Sequence, residues 1–467
     1  MEDHPFGGAL TVLDGSVRVN DEAAIASPAM DTLVSTAVFG EETARDEARW
    51  LIWEIGQALG VRPASIHDLY RARGRGKTGG FTVPAINVRG MAYDTARAIF
   101  RTAVRNNAGA FLLEIARSEI AYTEQRPAEY VAVMLAAALR EGFRGPVFIQ
   151  GDHFQVNSKK FAVDPVAEVN NVKQLAREAI AAGFYNIDVD TSTLVDLSKK
   201  TLDEQQRVNY EQAVDIALAI RGLEPEGVTI SIGGEIGEVG TENSTVEELQ
   251  AYMNGFDRTM DNRAPGTEGL SKISVQSGTS HGGVVLPDGT IADVSIDFDT
   301  LSTLSKVARE QYGLSGAVQH GASTLPDSAF DNFPKTETAE IHLATNFQTM
   351  LYDNAPRELR DEIYKWLREN AKDERKASDT DEQFFYKTRK KALGPFKRRF
   401  WDLSPADKER LAKMYDEKFT FLFRQLAVVD TAATVKRFVT APVQHKPRPN
   451  PGLAAVETAP DDADLSD

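Results

Sequence analysis

Three of the seven histidines of this 467-residue chain follow short apolar runs, at the points where the runs give way to polar residues. His153, His281 and His320 lie just beyond the third, sixth and seventh of eight such runs, and Glu235 closes the fifth. Three imidazoles and a carboxylate suit a divalent metal such as zinc and leave room for a substrate oxygen. The chain has no cysteine, which excludes thiolate ligands and cysteine nucleophiles. The sequence therefore predicts a metal site at these four residues.

The apolar runs alternate with helix-like stretches between residues 81 and 350. This alternation predicts parallel strands joined by crossover helices, and eight units in about 270 residues match a closed barrel. An open doubly wound sheet is the alternative, but no GxGxxG motif follows the first run. The predicted fold class is α/β, a (β/α)8 TIM barrel with N-terminal and C-terminal helical extensions. Its strands would end at one mouth, where the metal ligands would converge. The runs are FTVPAINV from 81, AFLLEIAR from 110, PVFIQGDH from 146, FYNIDVDTS from 184, VTISIGGE from 228, KISVQSGTSH from 272, GAVQHGAS from 316 and AEIHLATN from 339.

Four regions are expected along the chain. Residues 1–80 form an N-terminal extension, with a hairpin around Asp14-Gly15 and a helix over residues 41–59. Residues 81–350 form the barrel, and residues 351–440 form a C-terminal helical extension, with a helix start at Ser404-Pro405. Residues 441–467 are rich in proline and then acidic, which is typical of a disordered tail.

The charge composition of the chain argues against some classes of binding partner. Lys and Arg number 53 and Asp and Glu number 69, so the formal net charge is −16. An acidic chain is a poor general binder of nucleic acid or of anionic membranes. No run of about 18 apolar residues and no secretory leader is found, so a cytoplasmic protein without nucleic-acid or membrane partners is expected.

Five short segments resemble, in order, motifs of the class II, zinc-dependent ketose-bisphosphate aldolases. They are GDHF at 151–154, FYNIDVDTST at 184–193, EIGEVG at 235–240, SGTSHGG at 277–283 and QHGAST at 319–324. The resemblance implies a barrel enzyme in which Asp152 is the general acid or base and His153, Glu235, His281 and His320 bind the metal. It further implies Glu242 as a second catalytic acid in the loop after the glutamate strand. The substrate or phosphate contacts that it implies are Ser118, Asp190, Gly282, Gly321, Ser323, His342 and Thr345.

The last apolar run departs from the family pattern. Related chains carry Asn-x-Asp/Asn-Thr there, whereas EIHLATN places His342 at the asparagine position and keeps the hydroxyl of Thr345. Alternation along a strand puts Ile341 and Leu343 on one face and His342 on the other, so His342 is expected to face the barrel interior. Arg398 and Arg399 fall where related chains place an arginine that reaches a distal phosphate.

The resemblance implies a metal-dependent aldolase that cleaves or forms a carbon–carbon bond in a phosphorylated ketose through a metal-stabilised enediolate. The expected cofactor is a divalent metal, Zn²⁺ first, with a monovalent cation as a further candidate. The expected partners are a phosphorylated sugar and a second copy of the chain, in a homodimer or higher homo-oligomer. A Schiff-base mechanism is disfavoured because no lysine ends any of the eight runs. Two alternatives remain: a metal-dependent sugar or sugar-acid epimerase or isomerase on this fold, and a non-catalytic subunit that stabilises an aldolase complex.

Overall fold

Eight parallel strands close into a barrel, one for each apolar run of the sequence. The computed structural model describes residues 4–237, 242–278, 286, 295–450 and 458–462. Each barrel strand pairs with its sequence neighbours, and the last pairs with the first through Ile341 opposite Pro84, which closes the ring. The strands are buried on both faces, as expected where helices surround a parallel sheet. The barrel strands are β4 Val83–Asn87, β5 Leu112–Ala116, β6 Gly145–Gln155, β7 Asn186–Asp190, β8 Ser231–Glu235, β9 Lys272–Val275, β10 Ala317–Gln319 and β11 Glu340–Leu343.

Helices that connect successive strands coat the barrel. Several begin at local sequence signals: Thr201 and Thr245 each form a capping box with a glutamate three residues on, and Asp164 caps a helix that starts with Pro165. The barrel therefore has the architecture that the alternation of runs predicts. The connecting helices are α5 Ala92–Arg105, α6 Arg117–Tyr122, α7 Pro127–Arg140, α8 Ser158–Val163, α9 Pro165–Ala182, α10 Leu202–Arg221, α11 Val246–Arg263, α12 Phe298–Tyr312 and α13 Asn332–Lys335.

The N-terminal extension contains more structure than a hairpin and one helix. The hairpin turns at Asp14-Gly15, and the predicted helix is present as a long helix that buries Trp50 and Trp53. A further short strand pairs in parallel with β6 outside the barrel ring. Such a four-residue strand gives little periodic signal. The elements are β1 Leu10–Leu13, β2 Ser16–Val19, α1 Glu22–Ile25, α2 Pro28–Phe39, α3 Glu42–Leu59, β3 Val61–Ala64 and α4 His67–Gly74.

The C-terminal extension is helical and has a small hydrophobic core of its own. Tyr352, Ile363, Phe384 and Phe400 are fully or nearly fully buried in it. Ser404 caps the longest helix, which starts at Pro405 as the sequence predicts. The elements are α14 Thr345–Asn354, α15 Arg357–Asn370, α16 Asp381–Thr388, α17 Lys397–Trp401, α18 Pro405–Gln425 and α19 Ala432–Phe438. In the part of the chain that the structure describes, no helix combines the length and apolar character needed to cross a membrane.

The described part of the tail is held by hydrogen bonds, in contrast to the disorder expected of residues 441–467. The indole nitrogens of Trp50 and Trp53 donate to the backbone oxygens of Lys446 (2.9 Å) and Gln444 (2.6 Å). Further along, the buried Asp462 carboxylate lies 2.8 Å from Lys160 Nζ and 3.4 Å from Arg117 Nη2. Composition alone did not predict this because the partners lie hundreds of residues away in the sequence.

Candidate active site

A bulge in β6 directs two consecutive side chains into the barrel mouth. The pairing of β6 with β7 shifts between Gly151 and Phe154, so Asp152 and His153 together oppose one residue of β7. His153 adopts a left-handed backbone conformation with φ of 40°, which a residue other than glycine rarely takes. Successive residues of a regular strand face opposite sides. The bulge is therefore what allows both Asp152 and His153 to face the site.

His153 is surrounded by acidic side chains from neighbouring strands. Its Nδ1 lies 3.1 Å from Asp190 Oδ2 and 3.5 Å from Glu235 Oε2. Burial alone would raise the pKa of Asp190, but hydrogen bonds from His153, Ser192 and Gln155 lower it below its usual value. Burial, and then the charge of Asp190, raise the pKa of Glu235 to about 8. A cation beside Glu235 would favour the ionised form of this carboxyl group and lower its pKa.

Three histidines, His153, His320 and His342, lie side by side across the mouth. The ring of His320 lies 4.2 Å from that of His153 and 4.1 Å from that of His342, measured between centroids. His320 Nε2 lies 2.9 Å from Ser274 Oγ. His342 faces the barrel interior, as the alternation in β11 predicts, and its side chain is 4% exposed. The sixth apolar run was expected to add His281, which lies outside the described residues, as does Gly282.

Asp152 is held between an amide and an imidazole. Its Oδ2 accepts a hydrogen bond from Asn87 Nδ2 (2.9 Å), and its Oδ1 lies 3.0 Å from His342 Nδ1. Burial would raise the pKa of this carboxyl, but the neighbouring His153 and His342 hold it well below the usual range. Asp152 is therefore an oriented carboxylate that can accept a proton.

The donor set fits a divalent metal. One ligand atom from each of Asp152, His153 and His320 can lie within 4.8 Å of the others, and the same holds for His153, Asp190 and Glu235. Among the described residues of the barrel interior, six carboxyl groups face one ammonium and three imidazoles. If all six carboxyl groups were ionised, two negative charges would remain even with every imidazole protonated. A bound divalent cation would therefore favour the ionised forms of Glu114 and Glu235, whose pKa is raised to about 8 by burial first. The carboxyl groups are those of Glu114, Asp152, Asp188, Asp190, Glu235 and Glu340, and the cationic groups are those of Lys272, His153, His320 and His342.

Four other predicted residues lie shortly after the ends of barrel strands: Ser118, Gly321, Ser323 and Thr345. Ser118 is buried in α6 directly after β5. Gly321, with φ of 68°, and the buried Ser323 follow β10, and Thr345 begins α14 after β11. Glu242 is exposed in the loop between β8 and α11, and none of the contacts recorded for the described residues joins it to the histidines.

Sequence reasoning missed polar residues in the interior of the barrel strands. Asn87, Glu114, Asp188 and Glu340 are all at most 6% exposed and face the same interior as the predicted ligands. The sequence does contain a pattern that would have indicated them: polar residues recur at alternate positions within otherwise apolar runs, as in NIDVD and EIHL. Lys272 was also missed, because it begins β9, whereas a Schiff-base lysine is expected at the end of a strand.

Arg389 is the buried arginine of the C-terminal extension. The two arginines named from the sequence, Arg398 and Arg399, are exposed. Arg398 pairs with Asp402 and Arg399 with Glu362, and the side chains of both arginines are more than half exposed. Arg389 packs between the rings of Tyr352 and Tyr386 and donates from Nη2 to Thr349 Oγ1 (2.7 Å). The expectation for Arg398 and Arg399 is therefore corrected: a run of basic residues does not reveal which of them faces inward.

The fold and the site together define a (β/α)8-barrel protein with a cluster of histidines and carboxylates of metal-ligand type at its mouth. Residues 71–398 match the family model of class II fructose-bisphosphate aldolase. The chain therefore belongs to the class II fructose-bisphosphate aldolase family, which is a family of enzymes. No curated protein sequence is similar enough to the chain to count as a match.

Solved structures resemble the protein at low sequence identity. A glycerol-complexed fructuronate–tagaturonate epimerase from Cohnella laeviribosi is 10% identical, with 89% of this chain and 93% of that chain covered and a TM-score of 0.55. A probable tagatose 6-phosphate kinase from Sinorhizobium meliloti 1021 is 16% identical, with 76% and 93% covered and a TM-score of 0.52. A fructose-bisphosphate aldolase from Campylobacter jejuni is 16% identical, with 79% and 98% covered and a TM-score of 0.47. The first two likenesses show the fold alone.

Proposed function

We propose that the protein is a metal-dependent aldolase that cleaves or forms a carbon–carbon bond in a phosphorylated ketose. The observation that carries the proposal is the ionised Asp152 carboxylate among the metal-ligand candidates, with its Oδ1 3.8 Å from His153 Nε2. A carboxylate at this position can move the proton of the hydroxyl group whose carbon–carbon bond breaks. Membership of the class II aldolase family supports the same reaction class.

His153, His320 and Glu235 would hold the divalent ion, zinc first, and His281 is expected to join them. When bound, the ion supplies Lewis acidity that stabilises negative charge developing on the ketose. Asp152 accepts the hydroxyl proton, the oxygen electron pair forms the aldehyde carbonyl, and the breaking bond leaves its electron pair on the ketone-side fragment. Asn87 fixes the carboxylate through Oδ2, so that Oδ1 faces His153 and His342.

Two features of the structure support an anionic substrate, one after β10 and one in the C-terminal extension. The backbone at Gly321 and the hydroxyl of Ser323 form a turn that would hold one phosphate without adding a formal charge. Arg389, whose Nε has no hydrogen-bond partner among the described residues, would hold the distal anionic group. It donates to Thr349, which lies one helical turn beyond the end of β11.

The test is a substrate screen with metal-loaded protein. Ketose monophosphates and bisphosphates are incubated with the enzyme, and triose release is measured with a coupled dehydrogenase. We expect release from at least one of them, loss on chelation, recovery with zinc, and loss in Asp152→Ala. Failure of the whole panel with metal-loaded protein would contradict the proposal.

Epimerisation of a keto sugar acid is a second candidate. The structural likeness to the Cohnella laeviribosi epimerase favours this candidate. The likeness covers 89% of this chain, so it includes residues outside 71–398, the part that matches the aldolase family model. The same residues would serve if the aldehyde fragment stayed bound and added back on its other face. Proton NMR of a keto sugar acid incubated with the enzyme distinguishes the two, since epimerisation gives a new isomer without free aldehyde.

A further inference from the structure

A fully buried lysine lies inside the barrel beneath the histidines. Lys272 is 1% exposed, and its Nζ donates to Glu340 Oε1 (2.5 Å), Gln150 Oε1 (2.8 Å) and Asp188 Oδ2 (3.0 Å). These three acceptors match the three N–H donors of the ammonium group. A Cβ atom at Gly233 would lie 2.3 Å from Asp188 Oδ1 and 2.9 Å from Lys272 Cε, so the glycine of β8 leaves the space that the ion pair occupies.

Glu340 connects this lysine to the candidate catalytic carboxylate. The same Oε1 atom that binds Lys272 lies 2.8 Å from His342 Nε2, and Tyr70 donates to its Oε2. The other ring nitrogen of His342 lies 3.0 Å from Asp152 Oδ1. A continuous series of contacts therefore runs from Lys272 through Glu340 and His342 to Asp152.

We propose that Lys272 is a positioning residue that, through Glu340, fixes the His342 ring and thereby the Asp152 carboxylate. This inference rests on the proposed aldolase function and extends it to a residue that does not contact substrate. Burial opposes the charge of Lys272, but Asp188 and Glu340 outweigh it and hold its pKa above the usual value. A lysine held as a cation is a poor nucleophile, so its role is electrostatic and not covalent.

The geometry determines what loss of the lysine would do. Without Lys272, Glu340 and Asp188 would be buried beside each other with His342 as the nearest cation, 2.8 and 3.6 Å away at Nε2. The imidazole would then be drawn toward these two carboxylates, and its contact with Asp152 at Nδ1 would lengthen. Misplacement of a catalytic group by about 1 Å can lower turnover about 100-fold.

The experiment compares Lys272→Met and Lys272→Arg with Arg221→Met. Arg221 is a matched control because its side chain is 7% exposed and paired with Glu224 in α10 and the loop after it, away from the histidines. We expect Lys272→Met to lower kcat about 100-fold with KM within about threefold and metal content unchanged. Lys272→Arg should recover part of kcat, and Arg221→Met should keep the kcat of wild type per folded molecule. A kcat within twofold of wild type in Lys272→Met would overturn the proposal.

A double variant separates positioning from simple charge balance and covers the case in which Lys272→Met does not fold. Lys272→Met/Glu340→Gln removes one charge of each sign and leaves Asp188 with His342, 3.6 Å away at Nε2. The net charge of the cluster is kept, so folding should recover. Kcat should remain low, because a neutral amide is a weaker acceptor for the His342 ring. Recovery of wild-type kcat in this double variant would show that Lys272 only balances buried charge.

A spectroscopic readout keeps this inference separate from the aldolase proposal. The chain has only seven histidines, so the imidazole ¹H–¹⁵N signals of the intact protein can be assigned. The signals of His342 are identified because they are missing from the spectrum of His342→Asn. Lys272→Met should shift the His342 signals and leave those of His445, which pairs with Glu54, unchanged. If no substrate is turned over, the proposed function fails while these shifts still test the contact. Unchanged His342 signals would refute the inference even in an active aldolase.

Discussion

Asp152→Asn tests the central step of the proposed reaction with the smallest change in shape. The amide cannot act as a base, and general acid–base catalysis by a positioned side chain contributes about 100-fold to 10,000-fold. At about 1.4 kcal/mol per factor of ten, the activation free energy should rise by about 2.8–5.6 kcal/mol. KM should change little, because the metal ligands and the phosphate turn remain.

The structure also limits the effect of this substitution on stability. Asp152 accepts from Asn87 through one oxygen and faces His342 with the other. An asparagine can accept from Asn87, but its NH2 group cannot bond to a His342 ring that is protonated at Nδ1, so one contact is lost while that proton stays. The lost contact costs about 1–3 kcal/mol. Part of this is offset, because the charge of Asp152 disfavours ionisation of the buried Glu114. The variant should therefore fold, with a net loss of about 1 kcal/mol in the free energy of unfolding.

The assay combines triose release, metal analysis and thermal unfolding, with Asp190→Asn as the matched control. Asp190 is an equally buried carboxylate that contacts the same histidine, at 3.1 Å from His153 Nδ1. Its loss should weaken metal binding about 10–100-fold, as for other groups that orient a metal-binding histidine. At saturating metal its kcat should fall less than that of Asp152→Asn. Turnover within threefold of wild type in metal-loaded Asp152→Asn would refute the assignment and make Glu242 the next candidate.

Three further outcomes are expected. Because the pKa of Glu235 is raised to about 8, this carboxyl is protonated below that pH and must release its proton to bind metal. Affinity for zinc should rise with pH up to about 8 in wild type and less steeply in Glu235→Gln, as calorimetry in buffers of different ionisation enthalpy would measure. Arg389→Met should raise KM for the phosphorylated substrate about tenfold, whereas the exposed Arg398→Met should not, as initial-rate kinetics would show. Asp462→Ala should lower the free energy of unfolding by about 1–3 kcal/mol in urea titrations, whereas Asp461→Ala, whose side chain is 65% exposed, should have little effect.

The sequence predicted the barrel well because its strands are buried on both faces and read as apolar runs. All eight runs correspond to strands, and the inward orientation of His342 followed from alternation alone. The bulge in β6 could not be predicted in this way. It becomes visible only when Asp152 and His153 are seen to oppose a single residue of β7.

Contacts distant in sequence account for most of what sequence reasoning missed. The tail was expected to be disordered, yet the indoles of Trp50 and Trp53 bind its backbone some 390 residues away. The choice of Arg389 over Arg398 depends on which side of the extension packs on Tyr352 and Tyr386. Neither fact leaves a periodic pattern in the local sequence.

The histidine in the last strand and the charges beneath it form one interdependent arrangement. The sequence resemblance leads us to expect an asparagine at position 342. The chain has His342 there, and its Nε2 and Nδ1 contact Glu340 and Asp152, respectively. Glu340 can remain ionised inside the barrel because Lys272 neutralises it, and Lys272 fits there because β8 has a glycine at position 233. A change from asparagine to histidine in isolation would leave a buried ring nitrogen without a partner. His342, Glu340, Lys272 and Gly233 therefore form one arrangement in the barrel interior, and this arrangement contacts the Asp152 carboxylate.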